Sequence, residues 1–63
     1  MKLKLQFTTG NPIIFNLDNV IAIEHCGDSG FKLYANNRDY SFMYRHLENR
    51  EEVINTIKRW ENE

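Results

Sequence analysis

From Lys2 to Thr8 the chain alternates without a break, with Leu3, Leu5 and Phe7 on one face and Lys2, Lys4, Gln6 and Thr8 on the other. Period-two alternation of this kind marks a half-buried strand. Thr9-Gly10-Asn11-Pro12 supplies turn chemistry, and Ile13 to Leu17 resumes the alternation with Ile13, Phe15 and Leu17 inward. The two runs are expected to form a hairpin. Asp18-Asn19 interrupts the pattern, and the β-branched stretch Val20 to Glu24 reads as a third strand entered through a bulge or bend. Gly27-Asp28-Ser29-Gly30 is the strongest turn signal in the chain. After it, Phe31, Leu33 and Ala35 point inward while Lys32 and Tyr34 point outward. Asn36-Asn37-Arg38-Asp39 reads as a further turn, because Asn tolerates the left-handed conformation of tight hairpins. Tyr40 to Tyr44 then closes the sheet, with Tyr40, Phe42 and Tyr44 on one side.

The period changes after His46. Val53, Ile54, Ile57 and Trp60 fall on one helical stripe, with Arg50, Asn55, Lys58, Arg59 and Asn62 around the rest. Asn49 is placed as N-cap, Glu52 stands three residues on as in a capping box, and Glu51 and Glu52 favour the positive end of the helix dipole. The expected architecture is one α+β domain spanning residues 1–63. It is a four- to five-stranded antiparallel sheet with one C-terminal amphipathic helix packed across its apolar face.

At 63 residues only one core can form, and a domain of this size buries only about 60% of the surface its unfolded chain exposes. A bound partner or a second copy of the chain would relieve that shortage. No intrachain disulfide can do so, because Cys26 is the single cysteine. Its lone presence leads to the expectation of a reduced, cytoplasmic setting. The sequence has no long apolar run for a membrane span and no apolar segment behind the N-terminus for a signal peptide. It runs from Met1 to Glu61-Asn62-Glu63, and is expected to be a complete small gene product. The 8 basic and 9 acidic residues leave a formal charge of −1. That balance removes the main electrostatic argument for binding duplex DNA, which rests on neutralising many phosphates.

Candidate chemistry is sparse. His25-Cys26 is the one adjacent pair of metal-ligating types, with His46 distant; structural zinc sites take four ligands and usually two or more cysteines. Neighbours on a strand point to opposite faces, so His25 is badly placed to activate the Cys26 thiol. Glu24 and Asp28 flank a turn and read as solvated acids. Gly27 and Gly30 bracket a hairpin turn rather than a strand-to-helix phosphate loop. No catalytic residue, cofactor site or metal site is expected, and the chain reads as a non-enzyme.

Eight aromatics are dense for this length. Phe7, Phe15, Phe31, Phe42 and Trp60 are assigned to the core. The leading functional expectation is a non-catalytic protein-interaction module (a small regulator, adaptor or inhibitor). Its contacts would come from sheet edges and from the connection Met43-Tyr44-Arg45-His46-Leu47, since Tyr, Arg and Met are enriched at interface centres. Its partner would be another protein, a second copy included. The alternative is single-stranded nucleic-acid binding by a stacking face built from Lys2, Lys4, Lys32, Tyr34 and Arg38.

The stretch Ile14-Phe15-Asn16-Leu17-Asp18-Asn19-Val20-Ile21-Ala22-Ile23-Glu24, with Glu52-Val53-Ile54-Asn55-Thr56-Ile57 in the helix, resembles small flagellar proteins of the FlbD type. Those proteins run a short N-terminal strand, a turn, an F-x-L-N-x-D-x-I style strand, a hairpin and a final amphipathic helix. The resemblance spans most of the chain and implies the same element order and a flagellar role. Where that family has a Gly-Lys hairpin, this chain has Asn36-Asn37-Arg38-Asp39.

Overall fold

In the computed structural model, which describes residues 1–63, the alternating segments become strands β1 (Lys2–Leu5), β2 (Ile13–Asn16), β3 (Val20–Cys26), β4 (Gly30–Ala35) and β5 (Arg38–Met43). The C-terminal stripe becomes helix α1 (Arg50–Glu61). All strand pairings are antiparallel, so the α+β class expected from the pattern is the one found. The expected single sheet is, however, two: β1 pairs only with β2, and β3, β4 and β5 form a separate three-stranded sheet. The division falls at a 3-10 turn over Leu17–Asn19. There the Asn16 side chain accepts from the Asp18 N–H, and Val20 N–H returns to the Leu17 carbonyl. Two β-type residues and two local hydrogen bonds thus redirect the chain before β3 can join the first ladder.

The turns refine the sequence reading in the same direction. Asn36 and Asn37 both adopt left-handed φ, at 55° and 63°. They form a two-residue hairpin in which Ala35 pairs with Arg38, as expected for a turn needing two positive φ values. Arg38 and Asp39, read as turn residues, are therefore the first residues of β5. Gly30 likewise belongs to β4 and is buried. The reason is a close approach: a Cβ at Gly30 would collide with the Phe42 carbonyl oxygen.

Leu3, Leu5, Leu17, Val20, Phe31, Leu33, Ala35, Leu47, Val53 and Ile57 form one buried cluster shared by both sheets and the helix. Phe42 joins the layers. Its ring lies 5.6 Å from Phe31 of β4, 5.9 Å from Phe15 of β2 and 6.0 Å from Phe7, at separations where aromatic pairs attract beyond their burial. Ile13, expected inside, shares the inner side with its partner Leu5 but stands at the first position of its strand and remains 41% exposed.

The helix buries Val53, Thr56 and Ile57, while Ile54 and Trp60 of the expected stripe are only half-buried. Thr56 completes the stripe at i+3 from Val53 because its hydroxyl donates to the Glu52 carbonyl at 2.8 Å and so enters the core satisfied. Asn49 occupies the N-cap position, yet its side chain makes no cap bond. It turns to β1 instead, accepting from Gln6 N–H at 3.0 Å and donating to the Lys4 carbonyl at 2.9 Å. The same amide donates to Glu52 at 3.0 Å. Phe7 and Leu47 add an antiparallel bridge beside it, through Thr8 N–H to the His46 carbonyl and Glu48 N–H to the Gln6 carbonyl. The C-terminal end of the β1 edge away from β2 is thereby covered.

Candidate functional site

Two edges remain without a backbone partner in the three-stranded sheet, and β3 is the longer strand bordering one of them. Tyr44 N–H donates to the Ser29 carbonyl, which fixes the alternation along β4. Its odd residues face β5, and its even residues face β3. On β3, Ala22, Glu24 and Cys26 therefore bond β4, while Ile23 and His25 direct their N–H and C=O groups outward. A register shift between Val20 and Ala22 makes Ile21 a bulged residue. Bulges re-aim side chains, and Ile21 is 79% exposed, the most of any large apolar residue here.

The far end of β3 borders a cleft of about 340 Å³ against the helix. His25 and Asp28 line it from the strand and the following turn. Arg50, Ile54, Ile57 and Lys58 line it from α1, and Gly27 and Tyr44 complete the lining. Arg50, Ile54, Ile57 and Lys58 recur at i, i+4, i+7 and i+8, so they form one helical stripe. His25 is held by Glu61 at the last turn of α1, with Nε2 to Oε2 at 2.7 Å. It is the one contact within 4.0 Å between a basic and an acidic side chain in the molecule, so Arg50 and Lys58 reach the cleft without an acidic partner at that distance. Burial pushes the Tyr44 hydroxyl above the usual tyrosine value, and the negative charges of Glu61 and Cys26 add to the effect. The phenol accordingly stays a neutral donor through the physiological range.

The segment singled out before the helix is split by burial. Met43 is 41% exposed, Arg45 and His46 are exposed, Tyr44 packs half-buried against the Phe31 ring at 5.8 Å, and Leu47 is in the core. The five residues proposed for a nucleic-acid face are not brought together. Lys2 and Lys4 lie on β1, in the other sheet. Lys32 and Tyr34 share the outer face of the three-stranded sheet, whereas Arg38 pairs with inward-facing Ala35 and so lies on the opposite face. That outer face also carries acids, since Glu24 is opposite Lys32 and Asp39 is opposite Tyr34. Tyr34 donates to Glu24 at 2.9 Å; this bond raises its hydroxyl above the ordinary value, with desolvation and the nearby acids contributing less.

Cys26 is exposed on the face opposite His25, as alternation along the strand requires. No group of three or more His, Cys, Asp or Glu side chains converges in an arrangement able to hold a metal ion. No helix is long and apolar enough to cross a membrane. The cleft escaped the sequence reading because its wall combines residues some 25 to 33 positions apart. The one available signal was the i, i+8 spacing of Arg50 and Lys58 around Ile54. In comparisons with protein-family models, curated proteins and solved structures, nothing matches this chain.

Proposed function

We propose that this protein is a non-catalytic interaction module that takes an extended segment of a partner protein along the free edge of β3. One observation carries this reading: Ile21 stands 79% exposed on a seven-residue edge strand whose outer side has no strand partner. Full burial of an isoleucine side chain is worth roughly 1.5–3 kcal/mol, and edge strands with outward N–H and C=O groups accept further strands. Natural edges are guarded by charge, proline or a bulge; Ile21-Ala22-Ile23 carries no charge or proline, and beyond the bulge at Ile21 the edge from Ala22 to Cys26 runs in regular register. A role as regulator, adaptor or inhibitor, in a flagellar system or another, follows from binding rather than from chemistry. Met43, Arg45 and His46 supply a second exposed patch for the same partner or for a second copy.

The test is capture from native lysate with tagged wild type and Ile21→Lys, each split into nuclease-treated and untreated halves. A stoichiometric protein that survives nuclease and is lost with Ile21→Lys, while circular dichroism shows the variant folded, is the expected result. Retention by Ile21→Lys overturns the β3 edge as the contact. Recovery of nucleic acid in place of protein, sensitive to Lys32→Ala with Tyr34→Ala, overturns the reading itself in favour of a nucleic-acid binder.

A further inference from the structure

The cleft beside β3 carries information about the chemistry of the partner. Arg50 and Lys58 flank Ile54 on one stripe of α1 and lie about 12 Å apart along the axis, at 1.5 Å per residue. An extended chain covers that length in about four residues. Ile57, fully in the core, and half-buried Ile54 give the cleft an apolar floor. Tyr44 lines the same cleft. Asp28 is the one acid among the lining residues, against two cations that make no ion pair. His25 contributes both to this cleft and, through its outward backbone groups, to the open edge of β3.

We infer that the cleft between β3 and α1 binds a short extended peptide segment with acidic residues at i and i+4 and an aliphatic residue at i+2, its carboxylates meeting Arg50 and Lys58 and the aliphatic side chain lying over Ile54. Residues i, i+2 and i+4 of a strand share one face and span about 13 Å, so all three meet the stripe formed by Arg50, Ile54 and Lys58. Charge-assisted hydrogen bonds from Arg and Lys to carboxylates are the stronger class. The inference rests on the reading of the chain as a protein-binding module and adds the chemistry of what is bound.

The experiment uses the full chain, isotopically labelled, titrated with the probe peptide acetyl-Glu-Ser-Leu-Ser-Glu-amide and followed by amide chemical shifts. Shifts are expected to concentrate at Ile23, His25, Gly27, Asp28, Ile54 and Lys58. Arg50→Gln with Lys58→Gln is expected to weaken binding by about tenfold or more, as is replacing both peptide glutamates by glutamine. Both cations are exposed, so the double variant should melt as the wild type does. If it does not, Lys58→Gln alone and the loss of affinity with added salt carry the same comparison. Unmoved cleft amides, equal binding of the glutamine peptide, or unchanged affinity in the variant each overturn the inference. Should those results accompany a partner still captured in an Ile21-dependent way, the acidic-segment inference fails alone and the protein-binding reading stands. Loss of that capture as well overturns both.

Discussion

Asn49 is chemically ambiguous. Asn and Asp are about equally good N-caps, and both accept a bond from the helix N-terminus. Here the amide accepts from Gln6 N–H and donates to the Lys4 carbonyl, so both its donor and its acceptor are used on strand backbone. Asn49→Asp keeps the acceptor but loses the donor. It also places a carboxylate beside the Lys4 carbonyl oxygen and the Glu52 carboxylate, which now receives the amide. If capping were its main task the change would be neutral. The geometry instead predicts a loss of about 1–2 kcal/mol, the scale of a lost hydrogen bond and an unpaired acceptor. Urea unfolding of Asn49→Asp beside Asn49→Ala measures it, and an Asp variant as stable as wild type would contradict this account of Asn49. The residue type was legible in the sequence, but the direction its side chain takes was not.

Between elements, β5 passes close against β4 at Gly30. Most glycines mark turns, and the neighbouring Asp28-Ser29 pair encourages that reading. Yet Gly30 lies in a strand, and its missing side chain lets the Phe42 carbonyl pass where a Cβ would stand. Gly30→Ala should therefore destabilise by about 3 kcal/mol or more, the upper range for inserted volume, because the obstructing atom is backbone and cannot rotate aside. Thermal melts of Gly30→Ala check this, with Gly10→Ala as comparison. Gly10 has open space around it but a φ of 95°, so its expected cost comes from backbone strain alone and is smaller. A Gly30→Ala variant that melts with wild type would mean that β5 can shift away from β4. The helix shows the same logic: Thr56 is polar and stands outside the stripe that Val53, Ile54, Ile57 and Trp60 define, but its hydroxyl is satisfied within its own helix and the residue packs like an aliphatic one.

For the whole molecule, two tyrosines tie stability to alkaline pH. Tyr44 packs on Phe31 near the helix end, and Tyr34 bonds Glu24 on the outer sheet face. Both hydroxyls are pushed above their ordinary value, Tyr44 chiefly by burial and Tyr34 chiefly by the Glu24 bond. A folded value above the unfolded one means that the folded state holds its proton longer. The associated stability is therefore complete below the unfolded value of about 10 and is lost as pH rises through the folded values. Urea midpoints should hold up to about pH 10 on this account and then fall. Tyr44→Phe should decline less steeply over the same window. Ultraviolet titration of the phenols supplies an independent reading, and coincident decline of Tyr44→Phe and wild type would refute the assignment to Tyr44.

What the chain fixed locally is its alphabet of elements. Period-two runs at Lys2–Thr8 and Phe31–Ala35, paired asparagines at 36 and 37, and the 3.6-residue stripe from Val53 to Trp60 each impose their own backbone, because neighbours in sequence suffice to hide or expose each side chain. The α+β class and the C-terminal helix follow from those signals. Tertiary structure alone decided that the strands divide into two sheets and that Asn49 reaches to β1 rather than to its own helix. It also decided that Ile21 is bulged into water and that Arg50, Lys58 and His25 share a cleft. Each of these depends on contacts between segments far apart in sequence, where the periodicity of any one segment carries no information about its neighbour in space.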